Sequence, residues 1–113
     1  MKYGDIFWAD LPERDGHEQR GRRPAIIWQD TAQFPKLPTA LMIPLTAQLE
    51  TIRFAATLLI HPSATNGLRA PSVALVFQLG ACDVRRFGTR MGRLSRSDLE
   101  KVRGITRRLQ RLE

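Results

Sequence analysis

The feature that most restricts the fold of this chain is a change of hydrophobic period along it. Through the first two thirds, apolar residues come in short runs separated by turn formers; from Leu99 onward they recur every three or four positions. Ile6–Ala9, following Gly4-Asp5, reads as a first strand, and Ala25–Gln29 as a second, rich in the branched and aromatic residues that suit a pleated surface. Pro24 is tolerated at its entry, where a ladder donor is dispensable. A third run, Leu41–Leu45, contains Pro44, which predicts an edge position or a bulge. Phe54–Ile60 and Val73–Gln78 are the fourth and fifth runs, and His61–Gly67 between them carries the Pro and Asn-Gly signals of a turn-rich connection. Short strands at this spacing predict a mostly β domain, a small twisted barrel or curled antiparallel sheet.

At the C-terminus Leu99, Val102, Ile105, Leu109 and Leu112 form one apolar stripe on a helix. Ser95 with Asp98 three residues later resembles a capping box. Asp98 and Glu100 in the first turn, with Arg107, Arg108 and Arg111 in the last ones, match the helix dipole. No repeat, low-complexity tract or linker interrupts the chain, so a single domain over residues 1–113 is expected. A domain this small leaves much of its surface exposed, and pairing with a second copy would bury more of it.

Eighteen basic against 11 acidic residues give a net charge of +7, which favours anionic partners, nucleic acid among them. No stretch approaches the ~20 apolar residues that span a bilayer. The start, Met1-Lys2-Tyr3-Gly4-Asp5, lacks the layout of a secretion signal, so a cytoplasmic location is expected. Cys82 stands alone, which excludes an intramolecular disulfide and a cysteine zinc cluster and leaves a small packing residue. No metal or cofactor is expected.

The least ordinary segment is the connection Asp10 to Arg23, with Gly16-His17-Glu18-Gln19-Arg20-Gly21-Arg22-Arg23 ahead of Pro24. Glycines permit tight turns there, and cationic and polar side chains crowd onto a loop that packing alone does not demand. Composition leaves two readings open, a solvated basic loop or a phosphate-binding, RNA-cleaving one.

Gly4-Asp5-Ile6-Phe7-Trp8-Ala9-Asp10-Leu11, then Gly16-His17-Glu18-Gln19 and Arg23-Pro24-Ala25-Ile26-Ile27, resembles the signature of the MazF/PemK toxins. Pro44-Leu45-Thr46 is similar to that family's second motif, a strand ending in Thr. Ser72-Val73-Ala74-Leu75 with Gln78 resembles the third, and Gly92-Arg93-Leu94-Ser95 with Leu99 and Val102 the last. Three positions depart from the pattern: His17 stands where the family usually holds a small residue, Pro71 replaces an acidic residue before the Ser, and Gly80 a basic one after Gln78. The resemblance implies an SH3-like, CcdB/PemK-like barrel with a C-terminal helix, a homodimer, and a cognate antitoxin with an acidic C-terminal segment. It also implies a sequence-specific endoribonuclease that cuts single-stranded RNA without a metal, leaving a 2′,3′-cyclic phosphate and a 5′-hydroxyl. Arg23, Thr46 and Glu18 fall on the motif positions that carry catalysis, and Gln19 and Gln78, within the same motifs, are candidates to contact RNA.

The chemistry fits those residue types. A planar guanidinium at Arg23 matches two phosphate oxygens, and the Thr46 hydroxyl adds a donor in the manner of an oxyanion hole. Deprotonating a guanidinium near neutrality costs on the order of 7 kcal/mol, so Glu18 is the better proton carrier. His17 is a second candidate by intrinsic pKa, and a His17–His61 pair a third route. Arg20, Arg22, Arg53, Arg85 and Arg86 are candidates to track an RNA backbone. Trp8, Phe7, Trp28 and Phe77 are candidate stacking rings, Trp28 foremost because Gln29-Asp30 begins a loop. Two rival readings share the fold: a CcdB-like gyrase poison and a non-catalytic nucleic-acid-binding module.

Overall fold

A computed structural model describes residues 1–11 and 21–111. Its strands are β1 (Asp5–Leu11), β2 (Gly21–Ile27), β3 (Thr39–Thr46), β4 (Thr57–Ile60), β5 (Ser72–Leu75), β6 (Gly80–Asp83) and β7 (Phe87–Arg93), followed by helix α1 (Arg96–Gln110). They form one antiparallel sheet in the order β4-β5-β3-β2-β1-β7, with β6 also paired to β3. β1 and β2 make a hairpin whose register sets Trp8 opposite Pro24 and Ala9 opposite Arg23.

The sheet curls on itself. The Arg93 N–H donates to the Thr65 carbonyl at 2.8 Å, so the connection leaving β4, at one end of the strand order, meets β7 at the other. Buried Asn66 fixes that connection: its side-chain oxygen accepts from the Ser63 and Leu68 N–H groups at 3.0 Å each, and its amide donates to the His61 carbonyl at 2.9 Å. Gly67 has φ +72°, and a Cβ there would lie 2.1 Å from the Met91 carbonyl oxygen, so the close approach to β7 requires glycine.

The Pro44 run corrects the expectation of an edge or bulge. β3 is interior, flanked by β2 on one side and by β6 and β5 on the other. Trp28 N–H donates to the Leu41 carbonyl at 2.9 Å, which makes that pair a hydrogen-bonded one; by alternation Ala25 and Pro44 form a non-hydrogen-bonded pair, and the Pro44 nitrogen faces away from β2. On that far side β6 pairs residues 39–42 and β5 pairs residues 45–46, so the missing donor falls in the gap between two partners.

The fourth and fifth runs are shorter strands than expected. A 3₁₀ turn (Leu49–Arg53) and a left-handed Ala56 (φ 56°) precede β4, which begins only at Thr57. After β5 the chain makes a second 3₁₀ turn, Val76–Gln78, and resumes on β3 as β6. α1 bears out the terminal helix. The Ser95 hydroxyl accepts from the Asp98 N–H at 3.1 Å, and Val102 and Ile105 are buried against the sheet, each contributing about 1.5–3 kcal/mol of burial. Leu109 stays exposed, so the inward stripe ends a turn earlier than its sequence pattern, and Leu112 lies outside the described residues. Cys82 is buried with Ala9, Leu11 and Ala25, as a packing residue would be. No described helix is long and apolar enough to cross a membrane.

Candidate functional site

β2 leaves the hairpin loop at Gly21, whose φ of +78° suits glycine, and passes directly into Arg22 and Arg23. Ala25 lies opposite Pro44, the last of the β2–β3 pairs; Arg23 stands two residues before Ala25 on β2, and Thr46 two residues after Pro44, at the end of β3. Arg23 and Thr46 line one pocket of about 370 Å³, with Arg22, Trp8, Gln48 and Ser72 around them.

Exposure separates the two groups. Arg23 is exposed, and its guanidinium donates to the Arg22 carbonyl at 3.2 Å; no described carboxylate forms an ion pair with it. Thr46 is only 3% exposed, and its hydroxyl oxygen accepts from the Gln48 N–H at 3.2 Å. That local bond holds the hydroxyl oxygen in place and leaves its proton free to rotate toward a ligand. A tetrahedral anion entering here meets a planar fork of donors from one wall and a fixed hydroxyl from the other. Trp8 forms part of the same wall, with the Arg22 guanidinium 5.3 Å from its ring centroid.

The other anticipated residues divide. Arg86 donates to the Asp10 carbonyl at 3.2 Å, at the hairpin position opposite Arg22, and does not line the pocket. Arg85 is bound to Asp83 at 2.8 Å, and its guanidinium and N–H hold that carboxyl down to about 2. Arg53 lies at the end of the first 3₁₀ turn over the Phe54 ring at 5.2 Å, and Gln78 is half-buried in the second turn; neither lines the pocket. His61 is exposed and lines it no more than they do. His17, Glu18, Gln19 and Arg20 lie outside the described residues.

Trp28 does not line this pocket: it is 8% exposed, belongs to the main core, packs on Tyr3 at a centroid distance of 4.6 Å and borders a separate pocket with Arg93 and Arg103, whereas the ring beside Arg23 and Thr46 is Trp8. The hairpin geometry carried the signal: Trp8 and Pro24 are equally far from Gly16 in the loop, so they pair, while Trp28 sits at the far end of the same strand. Gln48 went unnoticed, although a Thr commonly accepts from the N–H two residues on. Among the departures, Pro71 is an exposed residue just before β5, and Gly80 opens β6 opposite Met42. No cluster of three His, Cys, Asp or Glu side chains among the described residues is arranged to hold a metal.

The family of PemK-like, MazF-like toxins of type II toxin-antitoxin systems matches residues 2–110. This chain belongs to that family. Over 102 residues, 90% of this chain and 87% of the relative, it is 29% identical to endoribonuclease EndoA of Bacillus subtilis strain 168. MazF from Deinococcus radiodurans superposes with a TM-score of 0.83 at 23% identity, covering 99% of this chain and 97% of that one. A mycobacterial endoribonuclease solved with its cognate antitoxin superposes at 0.75 with 16% identity, covering 100% of this chain and 97% of that one. The curled sheet capped by α1 is thus the fold of the PemK/MazF-like family, and the Arg-Pro and strand-end Thr motifs of this member meet at one pocket.

Proposed function

We propose that this PemK/MazF-like toxin is a metal-independent, sequence-specific endoribonuclease acting on single-stranded RNA. The observation that carries the reading is the shared pocket of Arg23 and Thr46. In the proposed reaction the 2′-hydroxyl oxygen bonds to the adjacent phosphorus while the bond from phosphorus to the 5′-oxygen breaks. The hydroxyl proton passes to a base and the leaving oxygen takes up a proton, giving a 2′,3′-cyclic phosphate and a 5′-hydroxyl with no further reactant. Arg23 and Thr46 bear on the phosphorane oxygens, whose charge grows in the transition state. Glu18, three residues before β2 begins, takes the hydroxyl proton. Arg22 and Arg86 draw in the backbone, and His17, Gln19 and Arg20 contact RNA from the same loop.

A net charge of +7 suits a cognate antitoxin that carries an acidic segment, as the family's place in toxin-antitoxin systems leads one to expect. Phe54 and Phe77, ring centroids 5.8 Å apart and 41% and 38% exposed, suit burial against a second copy in a homodimer.

The test is incubation of the purified protein with total single-stranded RNA in the presence of a chelator, followed by sequencing of 5′-hydroxyl ends. Ends that recur at one short sequence, and that vanish for Arg23→Ala, are expected. RNA left intact by the wild-type protein would falsify the reading and leave a gyrase poison or a passive nucleic-acid binder on the same fold.

A further inference from the structure

A second pocket, about 350 Å³ in volume, adjoins the first and shares Trp8, Pro24 and Ser72 with it. It lies within the size range of small-molecule sites. Its outer wall is the connection between β4 and β5, which presents Leu68 and Arg69, and its far side is Arg90 on β7. Three observations mark it as a built site. The wall is rigid: Asn66 bonds three main-chain groups around it, and Gly67 and Gly92 hold it so close to β7 that a Cβ at either would lie 2.1 and 2.3 Å from backbone oxygens. The floor is largely apolar, with Trp8, Pro24 and Met91 among its lining residues. The rim is cationic. Arg90 is engaged by buried Asp5 at 3.3 Å, whereas Arg69 is exposed and pairs with no described carboxylate.

A rigid apolar floor with a guanidinium at its rim matches one nucleotide, its base against the ring and its phosphate against the cation. Because Trp8 and Ser72 belong to both pockets, a strand with its scissile phosphate between Arg23 and Thr46 has its neighbouring nucleotide beside this floor. We propose that the Trp8–Arg69 pocket seats the nucleotide next to the scissile linkage, with Arg69 holding its phosphate and the pocket walls selecting its base. Resting on the endoribonuclease reading above, this makes Arg69 a positioning residue that holds the nucleotide while the pocket walls choose its base, and that takes no part in bond breaking. Arg90, tied to Asp5, shapes the wall.

The experiment compares wild type, Arg69→Ala and Arg69→Lys in full-length protein. Binding of a randomised 2′-O-methyl RNA octamer, which cannot be cut, is measured across a salt series, alongside the sequences cut in randomised RNA. Losing one phosphate contact makes the log–log salt slope shallower by about 0.7 for a single strand. Arg69→Ala is expected to show that change, about tenfold weaker binding, and, with the nucleotide no longer held against the pocket walls, relaxed preference at one position beside the cut. Arg69→Lys restores the slope. Unchanged slope, affinity and cut-site preference in Arg69→Ala, with wild type cutting normally, overturns this inference and leaves the endoribonuclease reading standing. Wild type that binds the octamer but cuts nothing removes that reading; the slope then still decides whether Arg69 holds a phosphate. Wild type that neither binds nor cuts removes both.

Discussion

The two ends of β2 place the same residue types in opposite circumstances. At the Trp28 end an aromatic ring is buried against Tyr3, the Trp28 N–H is bonded to Leu41, and the nearby Arg103 is paired with Glu100 at 2.5 Å. At the Arg23 end the aromatic ring, Trp8, lines an open pocket, and neither Arg22 nor Arg23 forms an ion pair with a described carboxylate. Both ends border a pocket, but at one the ring is buried and the cation beside it paired, whereas at the other the Trp8 ring is half-buried and the two arginines form no ion pair with a described carboxylate. A guanidinium beside a hydroxyl is an arrangement that an incoming phosphate completes.

The contrast is broken most directly at the rings. Trp28→Ala is expected to lower unfolding free energy by about 3–5 kcal/mol, a large share of a small domain's stability, whereas Trp8→Ala is expected to cost clearly less and to act on RNA binding instead. Equal losses for the two in urea titrations would contradict the division. Thr46→Val, close in shape, removes only the hydroxyl; cleavage is expected to fall about 10²-fold. The Gln48 N–H loses its acceptor in that variant, at about 1 kcal/mol, so the melting temperature should drop by only a few degrees.

The sequence made some of this legible and hid the rest for physical reasons. Ser95, Asp98, Val102 and Ile105 announced α1 because capping and a 3.6-residue stripe are local properties. The meeting of Arg23 with Thr46 was implied by the motifs, but it depends on β2–β3 register, which no local pattern specifies. Pro44 misled because an interior strand can take a proline wherever its neighbours change over. β6 and β7 gave no signal: Gly80-Ala81-Cys82-Asp83 and Phe87-Gly88-Thr89-Arg90-Met91-Gly92-Arg93 have too few apolar residues to alternate, and β1 and β3 hold them by pairing. Trp28 and Trp8 look alike in composition, and only hairpin geometry tells which one reaches the pocket.

Smaller effects sharpen the picture. Asn66→Ala removes the bonds that fix the β4–β5 connection and is expected to cost about 2 kcal/mol, with hydrogen exchange quickening first at Ser63 and Leu68. The weakest effect is at Asp83, whose carboxyl falls from 3.8 to about 2, held down by the Arg85 guanidinium and then by the Arg85 N–H. A folded-state value below the unfolded one means that its contribution is complete above about pH 4 and is lost as pH falls toward 2. Arg85 is fully in solvent and screened, so Asp83→Asn should leave neutral-pH melting nearly unchanged and only soften the acid limb, less so in high salt.

The central claim is that Arg23 serves the phosphate and leaves the fold alone. The decisive measurement is the single-turnover rate of RNA cleavage by Arg23→Ala beside its melting temperature. The account predicts a rate lower by about 10²–10³, with melting unchanged within the small effect of a surface substitution. Cleavage at the wild-type rate, or a rate lost only in proportion to lost folding, would contradict it.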